Sequence, residues 1–166
     1  MSIVTFTGIP SATVGELPAI GSLLPEFVLT GTDLSDVASR SFIGKRVVLN
    51  IFPSLDTGVC AMSVHRFNEL VARWPNTVVI CTSQDLPFAM GRFCGAEGID
   101  NAITASAFRS DFGQAYGVTL VDGPLRGLFA RSVVIADESG RVVYTRLSPE
   151  IAEEPDYDAA AAAVLG

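Results

Sequence analysis

The segment with the clearest chemical meaning surrounds Cys60. The stretch Phe52-Pro53-Ser54-Leu55-Asp56-Thr57-Gly58-Val59-Cys60 follows the apolar strand pattern of Arg46–Ile51 and leads into a helical pattern. A cysteine is therefore expected in the first turn of a helix, where unpaired N–H groups and the helix dipole favour an anion. A thiol in that position is biased toward the thiolate, the nucleophilic form of cysteine. The alternative is a small apolar core residue, as free cysteines often are, and position alone leaves both readings open.

The helix that follows Cys60 has one apolar face. Thr57 precedes Cys60 by one helical turn and is a candidate N-cap, and the helical pattern continues to about Arg73. Apolar residues recur at the spacing of a buried helical face, at Val64, Phe67, Leu70, Val71 and Trp74. The helix would therefore bury this face against the core and present Cys60 at its N-terminal end.

Length and composition indicate one folded domain over residues 1–166. Hydrophobic residues make up 49% of the chain and charged residues 17%, which excludes a disordered protein. The net charge is −7 and no Lys/Arg cluster is present, so nucleic acid is not an expected partner. The chain has no signal-peptide pattern and no long apolar run, so we expect a cytoplasmic protein without a membrane partner.

The three cysteines are Cys60, Cys81 and Cys94. In a reducing compartment, cysteines are more often catalytic, redox-active or buried than joined in structural disulfides. Cys81 ends the apolar run Val78-Val79-Ile80-Cys81 and is expected in the core. The one histidine, His65, is expected at the surface or at an interface, and without short Cys/Cys or Cys/His spacing neither a zinc site nor a cofactor is predicted.

The remaining patterns predict an α/β fold. A short N-terminal β-hairpin is expected from residues 4–8 and 12–14, with an apolar strand, buried on both faces, at 47–52. Further strands are predicted at 26–30, 77–82, 128–136 and 142–147, and helices at 58–73, 87–96, 107–114 and 156–165. This order favours a central mixed β-sheet flanked by helices, and a cysteine directly after a central strand favours the thioredoxin-like architecture.

Short motifs along nearly the whole chain resemble those of one family. The stretch from Pro53 to Cys60 matches the pattern P-x-x-x-T-x-x-C of the peroxiredoxins. The other matching segments are Leu49-Asn50-Ile51-Phe52-Pro53, Asp85-Leu86-Pro87-Phe88-Ala89, Arg92-Phe93-Cys94-Gly95-Ala96-Glu97-Gly98, Tyr116-Gly117-Val118, Asp122-Gly123-Pro124-Leu125 and Glu154-Pro155-Asp156-Tyr157. Together they resemble the bacterial, atypical two-cysteine thiol peroxidase branch of the peroxiredoxins, from about Gly8 to the C-terminus.

The resemblance implies a role for five residues. Cys60 would be the peroxidatic cysteine, and Cys94 the resolving cysteine. Thr57 would hydrogen-bond the attacking sulfur and the peroxide, while Pro53 would shield the pocket from water. Arg131 occupies the place of the family's active-site arginine, although a buried arginine could instead belong to a structural ion pair.

The resemblance also implies a reaction and its partners. Hydrogen peroxide or an alkyl hydroperoxide would oxidise Cys60 to a sulfenic acid, which Cys94 would convert to an intramolecular disulfide. Thioredoxin or a similar dithiol would restore the thiols, and the family implies a homodimer. The helix N-terminus and Arg131 would stabilise the developing negative charge.

Two other functions stay open. A general dithiol–disulfide oxidoreductase on the same fold would be expected to carry a Cys-x-x-Cys pair, and position 57 is threonine. A non-enzymatic redox sensor would use the same pair of cysteines to signal to a partner. The stretch from Met90 to Gly98 contains Gly91, Gly95 and Gly98, which predicts a helix that unfolds locally with ease.

Overall fold

The computed structural model describes all 166 residues. A separate hairpin is formed by β1 (Ile3–Phe6) and β2 (Ile9–Ala12). The central sheet contains β3 (Val28–Gly31), β4 (Asp36–Ala38), β5 (Arg46–Ile51), β6 (Thr77–Ser83), β7 (Ile103–Ser106), β8 (Ser132–Ala136) and β9 (Val142–Leu147). Their order across the sheet is β4-β3-β7-β6-β5-β8-β9. The β5–β6 and β6–β7 pairs are parallel and the others antiparallel, so the predicted mixed sheet and N-terminal hairpin are confirmed.

Strand β5 lies at the centre of the sheet. Its residues from Val47 to Ile51 are all buried, as a continuous apolar run predicts for a strand covered on both faces. Asn50 of β5 is in register with Cys81 of β6, and Cys81 with Thr104 of β7. Because partners in parallel strands point to the same face, these three side chains form a row across the sheet.

Four helices accompany the sheet: α1 (Gly58–Val71), α2 (Pro87–Glu97), α3 (Phe112–Ala115) and α4 (Tyr157–Leu165). One apolar core lies under α1, α2 and α4 and includes Cys60, Phe67 and Met90. A second core on the other face of the sheet includes Phe27 and Phe112. Helix α1 buries Cys60, Ser63, Val64, Phe67 and Val71, close to the face that the periodicity predicts.

Helix α2 is held mainly by its first half. It begins with Pro87 at the position where a missing N–H costs nothing, and its two buried side chains are Pro87 and Met90. It ends at Gly98, whose φ of 68° is the left-handed cap conformation that glycine adopts easily. Gly98 therefore terminates the helix, and the interior glycines are Gly91 and Gly95.

The sequence patterns missed some elements and misplaced others. They did not predict the short strands β4 and β7 or the 3-10 turn Ser39–Phe42. The helix expected at 107–114 is reduced to the four residues of α3. The strand expected from residue 128 starts at Ser132, so Arg131 lies just before β8 rather than inside it. None of the helices combines the length and apolar character that crossing a bilayer demands.

Candidate active site

Cys60 lies in the first turn of α1, at the carboxyl end of β5. Its side chain is fully buried, with 0% exposure, among the residues of the core under α1. The Nη2 atom of Arg131 donates a hydrogen bond to the Cys60 Sγ atom across 3.1 Å. The most reactive position predicted from the sequence is therefore in direct contact with a cation.

Arg131 is unusual because its guanidinium is buried without a carboxylate. The residue is 1% exposed, and none of the ion pairs in the chain includes it. Its Nε atom donates to the Ile151 carbonyl at 2.8 Å, and its Nη1 atom has no hydrogen-bond partner. A structural ion pair, the alternative left open by the sequence, is not formed. A buried guanidinium favours electron-rich partners beside it, and the two within hydrogen-bond distance are the Ile151 carbonyl and the Cys60 sulfur.

Thr57 occupies the N-cap position of α1, as predicted, but its side chain does not cap the helix. Its Oγ1 atom donates to the Ser54 carbonyl at 3.1 Å and makes no bond to Cys60. Pro53 is buried between the end of β5 and the loop that leads to α1. The role of either residue toward a substrate stays a prediction.

Asp85 fixes the loop that precedes Cys60, a role that the sequence reasoning missed. One of its carboxylate oxygens accepts from the Ser54 hydroxyl at 2.8 Å. The other accepts from the Leu55 backbone N–H at 2.8 Å and from the Ser83 hydroxyl at 2.5 Å. The carboxylate thus ties the loop to the end of β6, two residues before α2 begins. The sequence does carry a signal for this role, an acidic residue between a predicted strand and Pro87. Asp85 entered the prediction only as part of a family motif.

A buried polar network connects the first turn of α1, which contains Cys60, to the central sheet. The Ser63 hydroxyl donates to the Cys60 carbonyl at 2.7 Å and accepts from the Asn50 amide at 3.1 Å. The same amide nitrogen lies 3.6 Å from the Cys81 sulfur. Helix α1 is therefore joined to β5 within one turn of its reactive cysteine.

Cys94 lies in α2 and is partly buried, and its sulfur is 3.1 Å from the Thr104 hydroxyl on β7. All three cysteines are free thiols. Burial raises the pKa of the Cys81 thiol to about 12, so Cys81 stays protonated and unreactive at neutral pH, in agreement with its predicted place in the core.

Two side-chain pairs connect the segments that carry Cys60 and Cys94. His65 of α1 lies 3.1 Å from the Glu97 carboxylate of α2, and the Asp56 carboxylate lies 3.9 Å from the Arg92 guanidinium. His65 is partly exposed, as predicted, and its ring also contacts Phe93 edge-on. No three His, Cys, Asp or Glu side chains are grouped as metal ligands would be.

The sequence matches a known family model and curated proteins over nearly its whole length. The model described as Redoxin matches residues 19–161. A protein of Corynebacterium glutamicum named thiol peroxidase is 58% identical over 159 residues, which is 96% of each chain. A protein of the same name from Mycobacterium tuberculosis is 56% identical over 164 residues, 99% of each chain.

Solved structures share the fold. A peroxiredoxin-like protein from Aquifex aeolicus superposes with a TM-score of 0.92 and 38% identity, covering 99% of this chain and 96% of that one. A thiol peroxidase from Chromobacterium violaceum has a TM-score of 0.89 with 24% identity, covering 96% of this chain and 94% of that one, a likeness of fold alone. The predicted thioredoxin-like architecture is therefore confirmed.

Proposed function

The chain belongs to the Redoxin family and is a thiol-dependent peroxidase of the peroxiredoxin type, and from that premise we propose the residues and steps through which it works. A hydroperoxide is its substrate and a thiol its reductant. The observation that supports the proposal most directly is the 3.1 Å contact between Arg131 Nη2 and Cys60 Sγ in a site without solvent exposure.

In the first step the Cys60 thiolate attacks the terminal oxygen of the hydroperoxide. The S–O bond forms as the O–O bond breaks, which leaves Cys60 as a sulfenic acid and releases an alkoxide or hydroxide that takes up a proton to become an alcohol or water. The free Nη1 donor of Arg131 is available to the oxygen that gains negative charge. Arg131 thus supports the thiolate through one nitrogen and the leaving oxygen through another.

Thr57 and Pro53 shape the space in which this step takes place. The Thr57 hydroxyl can exchange its bond to the Ser54 carbonyl for one to the sulfur or the peroxide, because a hydroxyl both donates and accepts. Such a partner would align the peroxide for attack. Pro53, buried and without an N–H, would keep water from the thiolate.

In the second step Cys94 resolves the sulfenic acid. Its sulfur attacks the Cys60 sulfur, the S–O bond breaks, and the departing oxygen leaves as water with the proton that the Cys94 thiol gives up. The product is an intramolecular Cys60–Cys94 disulfide. Cys81 takes no part, since its buried thiol stays protonated.

A dithiol protein such as thioredoxin then supplies two electrons by thiol–disulfide exchange and returns both cysteines to thiols. We also propose that residues 1–166 form a single domain that acts as a homodimer in the cytoplasm. The support is the family itself together with the composition and cysteine usage of the chain. Light scattering of the reduced protein tests the dimer.

Disulfide mapping after one equivalent of hydroperoxide tests the proposal, alongside peroxide consumption with thioredoxin, its reductase and NADPH. Cys60→Ser should be inactive, because a serine hydroxyl is hardly ionised at neutral pH. Cys94→Ser should reduce one equivalent and then stop as a sulfenic acid, and Cys81→Ser should turn over normally. Continued turnover by Cys94→Ser with a stalled Cys81→Ser would assign the resolving role to Cys81. Oxidation of the native chain without turnover would favour the sensor.

A further inference from the structure

Thr104 lies on β7 with its hydroxyl against the sulfur of Cys94. The residue is 5% exposed, and Cys94 Sγ, at 3.1 Å, is the only hydrogen-bond partner of its Oγ1 atom. We propose that Thr104 is a positioning residue for the resolving step: its hydroxyl holds the Cys94 sulfur against β7 in the reduced enzyme and slows disulfide formation. This inference rests on the proposed resolving role of Cys94.

Ideal helix geometry places the two cysteines too far apart to bond while both helices are intact. Cys60 is the third residue of α1 and Cys94 the eighth of α2, and both helices start from the same edge of the sheet. A rise of about 1.5 Å per residue and a helix spacing of about 8–10 Å put their Cα atoms on the order of 10 Å apart. A disulfide requires less than roughly 7 Å. Cys94 must therefore leave its place before it can reach Cys60.

The contacts that Cys94 must break on leaving are few. The fully buried side chains of α2, Pro87 and Met90, lie in its first half. In the second half, Gly95 adds no side-chain contact, while Phe93 and Cys94 pack partly buried against the core. The contact between Glu97 and His65 is solvent-exposed and contributes little. The bond to Thr104 is the one side-chain hydrogen bond between this half of the helix and the sheet.

A hydroxyl suits this role because it can serve the sulfur in either protonation state. As a thiol, Cys94 can donate to Oγ1, and as a thiolate it can accept from the hydroxyl proton. Thr104 has no other partner for its hydroxyl, so the contact with Cys94 is the one that satisfies this buried group. Once Cys94 moves away, the hydroxyl is left without a protein partner, which adds to the cost of release.

Thr104→Val tests the proposal because it removes the hydroxyl at nearly constant volume. In single-turnover stopped flow with hydrogen peroxide, disulfide formation should become about threefold to tenfold faster, the range expected for one neutral hydrogen bond. The first oxidation of Cys60 should keep its rate, and less Cys60 should reach sulfinic acid. Thr104→Ser retains the hydroxyl and should behave like the native chain.

Thr82→Val is the matched control. Thr82 is fully buried on β6, its hydroxyl has no partner, and its register partner Ala105 belongs to the core on the opposite face of the sheet. Thr82→Val should change neither the rate of Cys60 oxidation nor the rate of disulfide formation. Hydrogen exchange of the fully reduced chain, without any peroxide, should show faster exchange in the second half of α2 for Thr104→Val only.

Each outcome either supports or overturns the proposed role of Thr104. Unchanged or slower disulfide formation in Thr104→Val overturns the inference, as does a valine-like Thr104→Ser or an equal effect from Thr82→Val. If disulfide mapping instead finds no Cys60–Cys94 bond, the proposed resolving step fails, while hydrogen exchange still reports whether Thr104 holds α2. If the disulfide is found but Thr104→Val shows native rates and native hydrogen exchange, only the role of Thr104 is excluded.

Discussion

The Arg131 guanidinium donates to the Cys60 sulfur across 3.1 Å, and no carboxylate shares that guanidinium. In most proteins a buried arginine is neutralised by an acidic side chain. Here the group beside the guanidinium is the Cys60 sulfur instead. Arg131 and Cys60 therefore form a buried pair in which no acidic side chain takes part.

Arg131→Met should slow the oxidation of Cys60 by about 100-fold or more, the usual cost of removing a preorganised donor from charge that develops in the transition state. Stopped-flow oxidation of the reduced protein by hydrogen peroxide measures this rate. Arg131→Lys keeps the charge but carries its donors on a single nitrogen, so its oxidation rate should lie between those of the native chain and Arg131→Met. A native oxidation rate in a folded Arg131→Met would make Arg131 structural.

Asp85→Ala should slow Cys60 oxidation by about tenfold, because small misplacements of reacting groups are costly. The substitution leaves the Leu55 N–H and the Ser54 and Ser83 hydroxyls without their acceptor. Asp85→Asn keeps an acceptor for one donor and should recover part of the rate. Asp122→Ala is the control, since that carboxylate accepts from the Ala12 N–H outside the site. Equal losses in the Asp85 and Asp122 variants would indicate general destabilisation.

Gly91→Ala should stabilise α2 by up to about 1 kcal/mol and slow disulfide formation. A Cβ atom at this position would meet the Thr32 side chain at 3.8 Å, an ordinary contact, so alanine fits without strain. Slower resolution gives a second peroxide more time, and more Cys60 should become sulfinic acid. Tryptophan fluorescence during the cycle and mass spectrometry after peroxide titration measure both effects. Gly98→Ala should instead weaken the helix end, because φ is +68° there. Native resolution in a folded Gly91→Ala would argue against a poised helix.

Cys81 should make the fold sensitive to alkali. Burial raises the pKa of its thiol to about 12, whereas an unfolded thiol ionises near about 8.5. The stability that the buried Cys81 thiol contributes is complete below the unfolded pKa of about 8.5. It is lost as pH rises toward the folded pKa of about 12, since between these two values only the unfolded chain releases the proton. At pH 10 this amounts to about 2 kcal/mol of unfolding free energy relative to pH 7.

Cys81→Ala should therefore lose about 2 kcal/mol less than the native chain between pH 7 and pH 10. Urea unfolding of both proteins under reducing conditions measures the difference. The pKa values of Tyr116 and Tyr157 are also raised by burial, but these groups act equally in both proteins and cancel. A parallel decline of the two proteins would contradict the prediction.

The part of the fold that the sequence predicts is the part with strong local patterns. Strand β5 and helix α1 carry long apolar runs and a clear helical period, so their types and most of their bounds follow from the residues alone. Strands β4 and β7 have three and four residues, too few for a pattern, and exist because β3 and β6 offer them partners. Their formation depends on tertiary pairing that local sequence does not encode.

The residues of the candidate site also fall into those that the sequence predicts and those that it does not. Cys60 stood out because its local pattern places it at a helix N-terminus, whereas the resolving role of Cys94 was predicted only from the family resemblance. The partners of these sulfurs could not be derived from spacing, because Arg131 is 71 positions from Cys60 and Thr104 lies on the unpredicted strand β7. Arg131 was reached only through family resemblance. Asp85, with several donors around one carboxylate, became visible only once the loop and the strand end were seen together.

The complete burial of Cys60 also limits, by size, which molecules can reach its sulfur in the reduced enzyme. A molecule of a few atoms, such as a hydroperoxide, needs only a small opening to reach the sulfur, whereas the disulfide of a protein or peptide needs a much larger one. Burial therefore keeps the Cys60 sulfur of the reduced protein away from larger thiols and disulfides. Under the proposed cycle, a dithiol protein meets this sulfur only after the rearrangement that forms the disulfide.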